Sequence, residues 1–354
     1  MAKSDAVELE VNGRAVRLSS PDKPYFPELG LTKRDVAEYV IAVGDGMIAA
    51  LQDRPTTMER WPGGVVEGAV ISTRQDNRGD AFYQKRTPKG APDWVQRATI
   101  TFPSGRTAET VAPADVATLV WMVNLGTLRF HAWPVRASAP DAVDQLRIDL
   151  DPQPGTDYAD AAKASLVLRE VLAEAGLAGF PKTSGGRGLH VFVPIQPLDF
   201  IDARHATIAL GRELARRMPD EVTVNWWKEE RGERIFIDFN QMARDRLMAS
   251  AYSIRPVPQA RVSAPLAWEE VGEVSPDQFT VPTMLTRYAE LGDVWAPYYE
   301  TVAGDASVAL AWYERDAENG EGELPYPPEY PKMEGEPIRV QPSRARKPED
   351  DAES

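Results

Sequence analysis

Two acids interrupt an otherwise apolar stretch, Leu146-Arg147-Ile148-Asp149-Leu150-Asp151-Pro152. In an extended chain successive side chains point to opposite faces, so Leu146, Ile148 and Leu150 share one face while Arg147, Asp149 and Asp151 share the other. Neighbouring carboxylates repel and resist burial unless a cation lies between them. A third acid has the same setting. In Ile235-Phe236-Ile237-Asp238-Phe239 the alternation predicts Ile235, Ile237 and Phe239 on one face and Asp238 on the other. Three carboxylates can hold two divalent ions about 4 Å apart, the clamp that steadies attacking and leaving oxygens in phosphoryl transfer. The competing arrangement is structural, with Asp149 and Asp151 merely ending a strand and Asp238 paired to an arginine. The acids alone do not choose between the two.

The stretch from Lys182 to Pro194, KTSGGRGLHVFVP, adds the chemistry of anion binding. Gly185, Gly186 and Gly188 let the backbone approach a ligand closely, and successive N–H groups in such a turn form an anion-binding concavity. Arg187 adds a fixed cation suited to phosphate oxygens and Ser184 a hydroxyl. His190 starts a strand in which Leu189, Val191 and Val193 face the other way. No Gly-Lys-Ser/Thr occurs and a strand rather than a helix follows, so this is not a Walker loop. Taken in isolation it also fits a glycine-rich hairpin turn with a surface arginine.

The elements that must position these residues are legible as patterns. VELEVNGRAVRLSS reads as a hairpin around Asn-Gly. TKRDVAEYVIAVGDGMIAALQ reads as a helix capped by Thr32. Strands are expected over 98–103, 108–112 and LRFHAWPVR, with an amphipathic helix between the last two. Residues 157–176 have the clearest helical spacing in the chain. DARHATIALGRELARRM is a further helix, and VTVNWWKEERGERIFIDF reads as a hairpin. Local hairpins mixed with crossovers predict an α+β, or mixed α/β, architecture.

Composition narrows the chemistry. The chain of 354 residues has no cysteine and three histidines, His131, His190 and His205, which excludes thiolate chemistry and disfavours a poly-histidine site,. Hard oxygen ligands remain, and these suit Mg²⁺, Mn²⁺ or Ca²⁺. The net charge is −14, yet residues 301–354 hold 13 acids and 6 bases, whereas residues 73–90 hold five bases and two acids around Phe82 and Tyr83. Local sign matters more than the total when a polyanion binds in one groove. No signal-like start and no membrane-length apolar run occurs, so a cytoplasmic protein is expected.

On these motifs the sequence resembles the polymerase domain of bacterial ligase D, within the archaeo-eukaryotic primase superfamily. IDLDP, TSGGRGLHVFVP and FIDFNQ match its three catalytic motifs in order. SPDKPYFPELGLTKRDVAEYV, RPTTMERWPGG, AFYQKRTPKGAPDWV, LGTLRFHAW, AYSIRP and YPPEYPKM extend the match over nearly the whole chain. The resemblance implies a primase-polymerase catalytic fold over residues 1–317, with two β-sheets flanked by helices and the cleft between them. Residues 318–354 are expected to form an extended, partly disordered Pro/Glu-rich tail. Carried over residue by residue, it implies that Asp149, Asp151 and Asp238 bind two Mn²⁺ or Mg²⁺ ions, with Mn²⁺ favoured. Ser184, Arg187, His190 and Arg255 are implied to hold the nucleotide's phosphates, Gln241 to lie near the sugar, and His131 beside the active site. Lys23 and Lys33 match positions that hold a downstream 5′-phosphate, Phe82 and Tyr83 an aromatic pair for a template base, and Lys85 belongs to the same basic segment.

The implied activity is template-dependent addition of NTPs or dNTPs to a DNA primer 3′-OH, in short-gap filling or end repair, often with ribonucleotides preferred; primase activity is left open. Implied partners are DNA with gaps or broken ends, a separate DNA ligase and a Ku-type end-binding protein, around a monomer associated with a bacterial nucleoid. The 65–80 segment is longer than the family's usual connection and is expected to lie near DNA. No Lys-x-Asp-Gly motif is present, so a stand-alone polymerase is expected. Two other classes fit parts of the pattern. A metal-dependent glycosyltransferase also uses Asp-x-Asp, and a non-catalytic DNA-end adaptor would not need the acids at all.

Overall fold

A computed structural model describes residues 5–72, 78–102, 104–244, 246–326, 340 and 342–343. The centre of the 65–80 segment and most of the tail beyond 326 lie outside the described residues. The opening hairpin pairs β1 (Ala6–Val11) with β2 (Arg14–Ser19) around Asn12 and Gly13, both at positive φ as a tight hairpin turn requires,. After the short pair β3 (Pro24–Phe26) and β4 (Leu31–Thr32), Thr32 caps α1 (Lys33–Ala42) in a reciprocal box with Asp35,. The single helix expected here is in fact two. The chain leaves helical geometry at Val43 (φ −99°, ψ 11°) and restarts as α2 (Gly44–Leu51), where a Cβ on Gly44 would meet the Val116 side chain at 2.7 Å.

Next come β5 (Thr56–Arg60), β6 (Phe82–Gln84), β7 (Arg97–Thr101), β8 (Thr107–Val111), α3 (Val116–Asn124) and β9 (Thr127–Ala132). The helix α3 was expected to be amphipathic, but it is buried at every position from Val116 to Val123. Then follow β10 (Val135–Arg136), the long β11 (Ala139–Pro152), α4 (Tyr158–Glu174), β12 (Phe180–Thr183), β13 (Leu189–Leu198) and α5 (Phe200–Arg217). The rest is β14 (Val222–Thr223), β15 (Ile235–Ile237), β16 (Met248–Ala249), α6 (Val281–Leu291), α7 (Ala296–Glu300) and α8 (Ser307–Glu318).

Two six-stranded sheets result, one ordered β16-β9-β5-β8-β7 with β6 on β5, the other β12-β13-β11-β15-β14 with β10 on β11. The architecture is therefore the mixed helix and sheet class. The hairpin expected over 222–239 is replaced by a parallel pair, Val222 opposite Ile235. A 3₁₀ turn at Lys228–Glu230 and Arg231, bonded to the carbonyls of Asn225 and Trp226, bring the chain back to the same end of the sheet.

The strand β11 carries the predicted division of faces. Leu146, Ile148 and Leu150 are wholly buried beneath α4 and α5. On the opposite face Arg147 is just as buried and donates to the carbonyls of Ala132 and Trp133 at the end of β9, tying one sheet to the other. Beyond α8, residues 319–326 lie on α5: Arg212 donates to the Gly322 carbonyl, Arg204 to those of Leu324 and Pro325, and Tyr326 is buried. No helix among the described residues is long and apolar enough to cross a membrane.

Candidate active site

The polar face of β11 opens on a cleft of about 520 Å³ between the sheets, lined by Arg129, Asp149, Asp151, Ser184, Gly186, Arg187, Gly188, His190, Arg255, Val257 and Arg261. Two acids and four arginines face this one cleft, the combination of charges a metal-bound polyphosphate would require,.

Strand register explains the convergence. Asp149 is paired with His190 on β13, and His190 in turn with Lys182 on β12, so the three side chains stand in a row across three strands,. His190 Nε2 lies 3.4 Å from Asp149 Oδ1. On the other side of β11, β15 ends at Ile237 and the Asp238 N–H donates to the Asp149 carbonyl at 3.0 Å. Asp238 thus falls one residue past the strand expected to carry it, capping the 3₁₀ turn Phe239–Met242. Its carboxylate accepts from the Asn240 N–H at 3.1 Å and from Gln241 Nε2 at 2.9 Å.

Burial, then Asp238 and Asp151, push the Asp149 carboxyl well above the usual carboxylate range, with Lys182 opposing. Asp151, nearer the rim, is raised by burial and Asp238 and relieved by Gln153, Arg231 and Arg187. Such mutual repulsion is relieved when a cation lies between the carboxylates. The acids are not a preformed cage, however: among the described residues no three acidic or histidine side chains are close enough to share one ion. The donor set, hard oxygens at like charge, fits a divalent ion that would gather them.

The glycine turn is built around Arg255. Gly185 takes φ +72°, and Gly186 lies so close to the Arg255 guanidinium that a Cβ there would come within 2.6 Å of it and displace it,. Ser184 Oγ accepts from the Gly186 N–H at 3.1 Å, and Arg187 is steadied on the Pro152 carbonyl at 2.8 Å.

Three partners escaped the sequence reading because only strand pairing brings them in. Lys182 is fully buried and touches His190 Nδ1 at 2.9 Å. Glu59 on β5 is 2 % exposed and accepts from Arg129 at 3.1 Å, Trp61 at 3.1 Å and His131 at 2.7 Å. Burial opposes that charge, but these donors take the Glu59 carboxyl down to about 2. Arg129 itself lines the cleft. His131 is therefore engaged with Glu59 and is absent from the cleft lining.

The predicted DNA contacts divide. Lys33 is 5 % exposed, with its amine on the Ser19 and Asn124 carbonyls at 2.9 and 2.7 Å. Burial, Lys23 and Arg60 pull it down to about 8. Lys23 bonds the Pro62 carbonyl at 2.6 Å. Phe82 and Tyr83 alternate along β6: Phe82 lies under the Arg60 guanidinium at 5.0 Å, while Tyr83, 48 % exposed, stands edge-on to His131. They do not form one platform. The Lys85 ammonium lies over Phe102 at 5.0 Å.

Comparison with known proteins gives this geometry a lineage. The family model described as LigD, primase-polymerase domain, matches residues 32–295. The Mycobacterium tuberculosis multifunctional non-homologous end joining DNA repair protein LigD is 32% identical over 349 residues, 94% of this chain and 43% of its own length. The bifunctional non-homologous end joining protein LigD of Bacillus subtilis is 29% identical over 287 residues, 80% of this chain and 44% of its own length. The chain thus spans less than half the length of these relatives. Among solved structures, the polymerase domain from Mycobacterium tuberculosis ligase D in complex with DNA matches with a TM-score of 0.72 and 29% identity, over 80% of this chain and 98% of that one.

Proposed function

This chain belongs to the LigD primase-polymerase domain family, and from that premise we propose that it is a template-dependent, DNA-directed nucleotidyltransferase. It adds NTPs or dNTPs to a primer 3′-OH in short-gap filling and end repair. The observation that carries the reading is the meeting, in one cleft, of the Asp149 and Asp151 carboxylates with Ser184, Arg187, His190 and Arg255. DNA with gaps or broken ends is the proposed substrate, and a DNA ligase and a Ku-type end-binding protein are the proposed partners of a monomer in the bacterial cytoplasm.

Asp149, Asp151 and Asp238 would hold two divalent ions, Mn²⁺ in preference to Mg²⁺. When bound, such ions neutralise charge on the attacking and leaving oxygens. The protein's own contribution is positioning. Arg187 and Arg255 present planar forks to phosphate oxygens, and Ser184 adds a hydroxyl beside the glycine turn. Gln241, which donates to Asp238 at 2.9 Å, is the residue proposed to lie near the sugar. Tyr83 is the ring that remains exposed for stacking on a template base,. The test is a gapped duplex incubated with labelled nucleoside triphosphate and Mn²⁺: extension by the gap length with pyrophosphate release is expected. Sugar-nucleotide turnover without extension would overturn the proposal.

The downstream-phosphate role separates Lys23 from Lys33. Lys33 also links β2 to the end of α3 through Ser19 and Asn124, so its removal costs stability as well. Lys23→Ala isolates the phosphate contact and should weaken binding to a 5′-phosphorylated gap about tenfold, as expected for one charge-assisted bond, with no change on an unphosphorylated gap. A bound phosphate favours the protonated amine of Lys33. The phosphate-dependent part of the affinity should therefore be complete below pH about 8 and decline as pH rises through it,. Equal weakening on both gaps in titrations at fixed salt would remove Lys23 from this role.

A further inference from the structure

We infer that Arg261 is a ligand of the nucleotide's terminal phosphate, and that Asp277 is its resting counter-ion, displaced by an incoming triphosphate. The inference rests on the reading of the cleft as a nucleoside-triphosphate site, and adds to it an arginine outside every motif named above.

The local fold brings Arg261 to the cleft. Arg255 and Arg261 flank the short turn Pro256–Ala260. Ile254 pairs antiparallel with Val262, and the Arg255 N–H donates to the Arg261 carbonyl at 2.7 Å. The two arginines are therefore directly opposite, and opposite residues of such a ladder project to one face. Both line the cleft. On its other side Arg261 is bridged to Thr280, so its backbone is held from both flanks.

Its charge is only loosely matched. Arg261 meets Asp277 at 2.6 Å, but that carboxylate is 69 % exposed on the 3₁₀ turn Pro276–Gln278. The Arg261 Nε is buried and has no hydrogen-bond partner among the described residues. Its charge also bears on Arg255, which burial, Arg129 and Arg261 together pull below the ordinary arginine range against Glu59. An anion in the cleft would relieve that repulsion and offer Nε an acceptor. An exposed ion pair is weak, whereas a terminal phosphate carries more charge and several acceptor oxygens. The exchange therefore favours the nucleotide.

Position along the cleft selects the terminal phosphate. A second cavity of about 470 Å³ shares Gly186, Arg187 and Arg261 with the cleft and is lined by neither Asp149 nor Asp151. Arg187, whose charge relieves Asp151, reaches toward the acids. Arg261 is paired instead with Asp277, which lines the second cavity alone. A triphosphate whose α-phosphorus meets the acids would run past Arg187 toward Arg261.

The test uses the full chain, with inorganic tripolyphosphate as the probe and Arg261→Gln and Asp277→Asn as the variants. In calorimetry at fixed salt and Mn²⁺, Arg261→Gln should weaken tripolyphosphate binding about tenfold, the effect of one charge-assisted hydrogen bond. In primer extension it should raise the KM for the nucleoside triphosphate by a similar factor and change kcat far less, as for a contact made alike before and during reaction. Affinity for the nucleoside monophosphate should not move; an equal loss there would overturn the terminal assignment. Asp277→Asn probes the exchange from the other side. It should tighten tripolyphosphate binding a few-fold, and should do nothing in the Arg261→Gln background. An ion pair that merely braces the loop predicts the opposite sign, weaker binding when either partner is lost, and that result would overturn the inference. Unchanged probe binding and KM in Arg261→Gln would do the same. Should Arg261→Gln not fold, the sign of the Asp277→Asn effect decides alone. Arg261-dependent probe binding beside a wild type that extends no primer would support the anion site and sink only the polymerase reading.

Discussion

Asp149→Asn is expected to lower templated extension by on the order of 10³-fold, the rate equivalent of several kcal/mol of transition-state charge stabilisation, while raising the melting temperature of the ion-free protein at neutral pH. Both follow from one arrangement. The Asp149 carboxylate is pressed by burial and by two further acids, so the ion-free fold is charged against itself at this point. An isosteric amide removes the repulsion and the ligand together. The pH dependence fixes the sign. A carboxyl whose pKa is raised on folding costs nothing below its ordinary value of 3.8 and penalises the fold as pH rises through its folded value,. The stability gap between variant and wild type should therefore be absent in acid and open toward neutral pH. Adding Mn²⁺ should raise the melting temperature of the wild type, since an ion that binds only the folded state stabilises it, and should not do so in the variant. Thermal melts with and without the ion, beside single-turnover extension, test all of this. Retained extension, or a variant that melts below the wild type at neutral pH, would sink it.

What the sequence made legible was local in character. The period-two pattern of β11 separates the buried Leu146, Ile148 and Leu150 from Asp149 and Asp151, because a strand's two faces can be read from one strand alone,. The glycine turn was equally readable, since its residues are contiguous. Lys182, Glu59 and Arg129 were not, although they face or support the same cleft. Lys182 precedes the Thr-Ser-Gly-Gly run as an ordinary strand lysine would. Only the register that sets it opposite His190 gives it a role. Glu59 and Arg129 meet because β5 and β9 pair with those two residues opposite each other, 70 positions apart in the chain. Pairing direction was beyond reach for the same reason. Nothing in residues 222–237 distinguishes an antiparallel hairpin from the parallel β14 and β15, which share an edge through a returning turn. The close packing of Gly44 on Val116, just past the break between α1 and α2, likewise involves a partner far along the chain.

Glu59 provides the second large effect. Glu59→Gln should destabilise the fold by about 3 kcal/mol at neutral pH, the energy of a carboxyl held at about 2 against an ordinary 4.5,, and should raise the KM for the nucleotide. The amide keeps the volume and a hydrogen-bonding oxygen but not the charge. The partly exposed Arg129 and the buried His131 are then left without a counter-ion, the costly way to break such a cluster,. For a carboxyl whose pKa is depressed on folding, the stabilisation is complete above about 4.5 and fades as pH falls toward 2,. Urea melts at pH 7 and pH 3 should therefore show a large difference between variant and wild type at the first and a much smaller one at the second. A difference that stays constant would assign the loss to packing rather than charge. The catalytic consequence runs through Arg129. Its guanidinium is tethered by Glu59 on one side and faces the cleft on the other. With the tether neutralised, the arginine is no longer aimed at the cleft by a fixed counter-charge, and the proposed nucleotide site loses pre-organisation rather than a ligand.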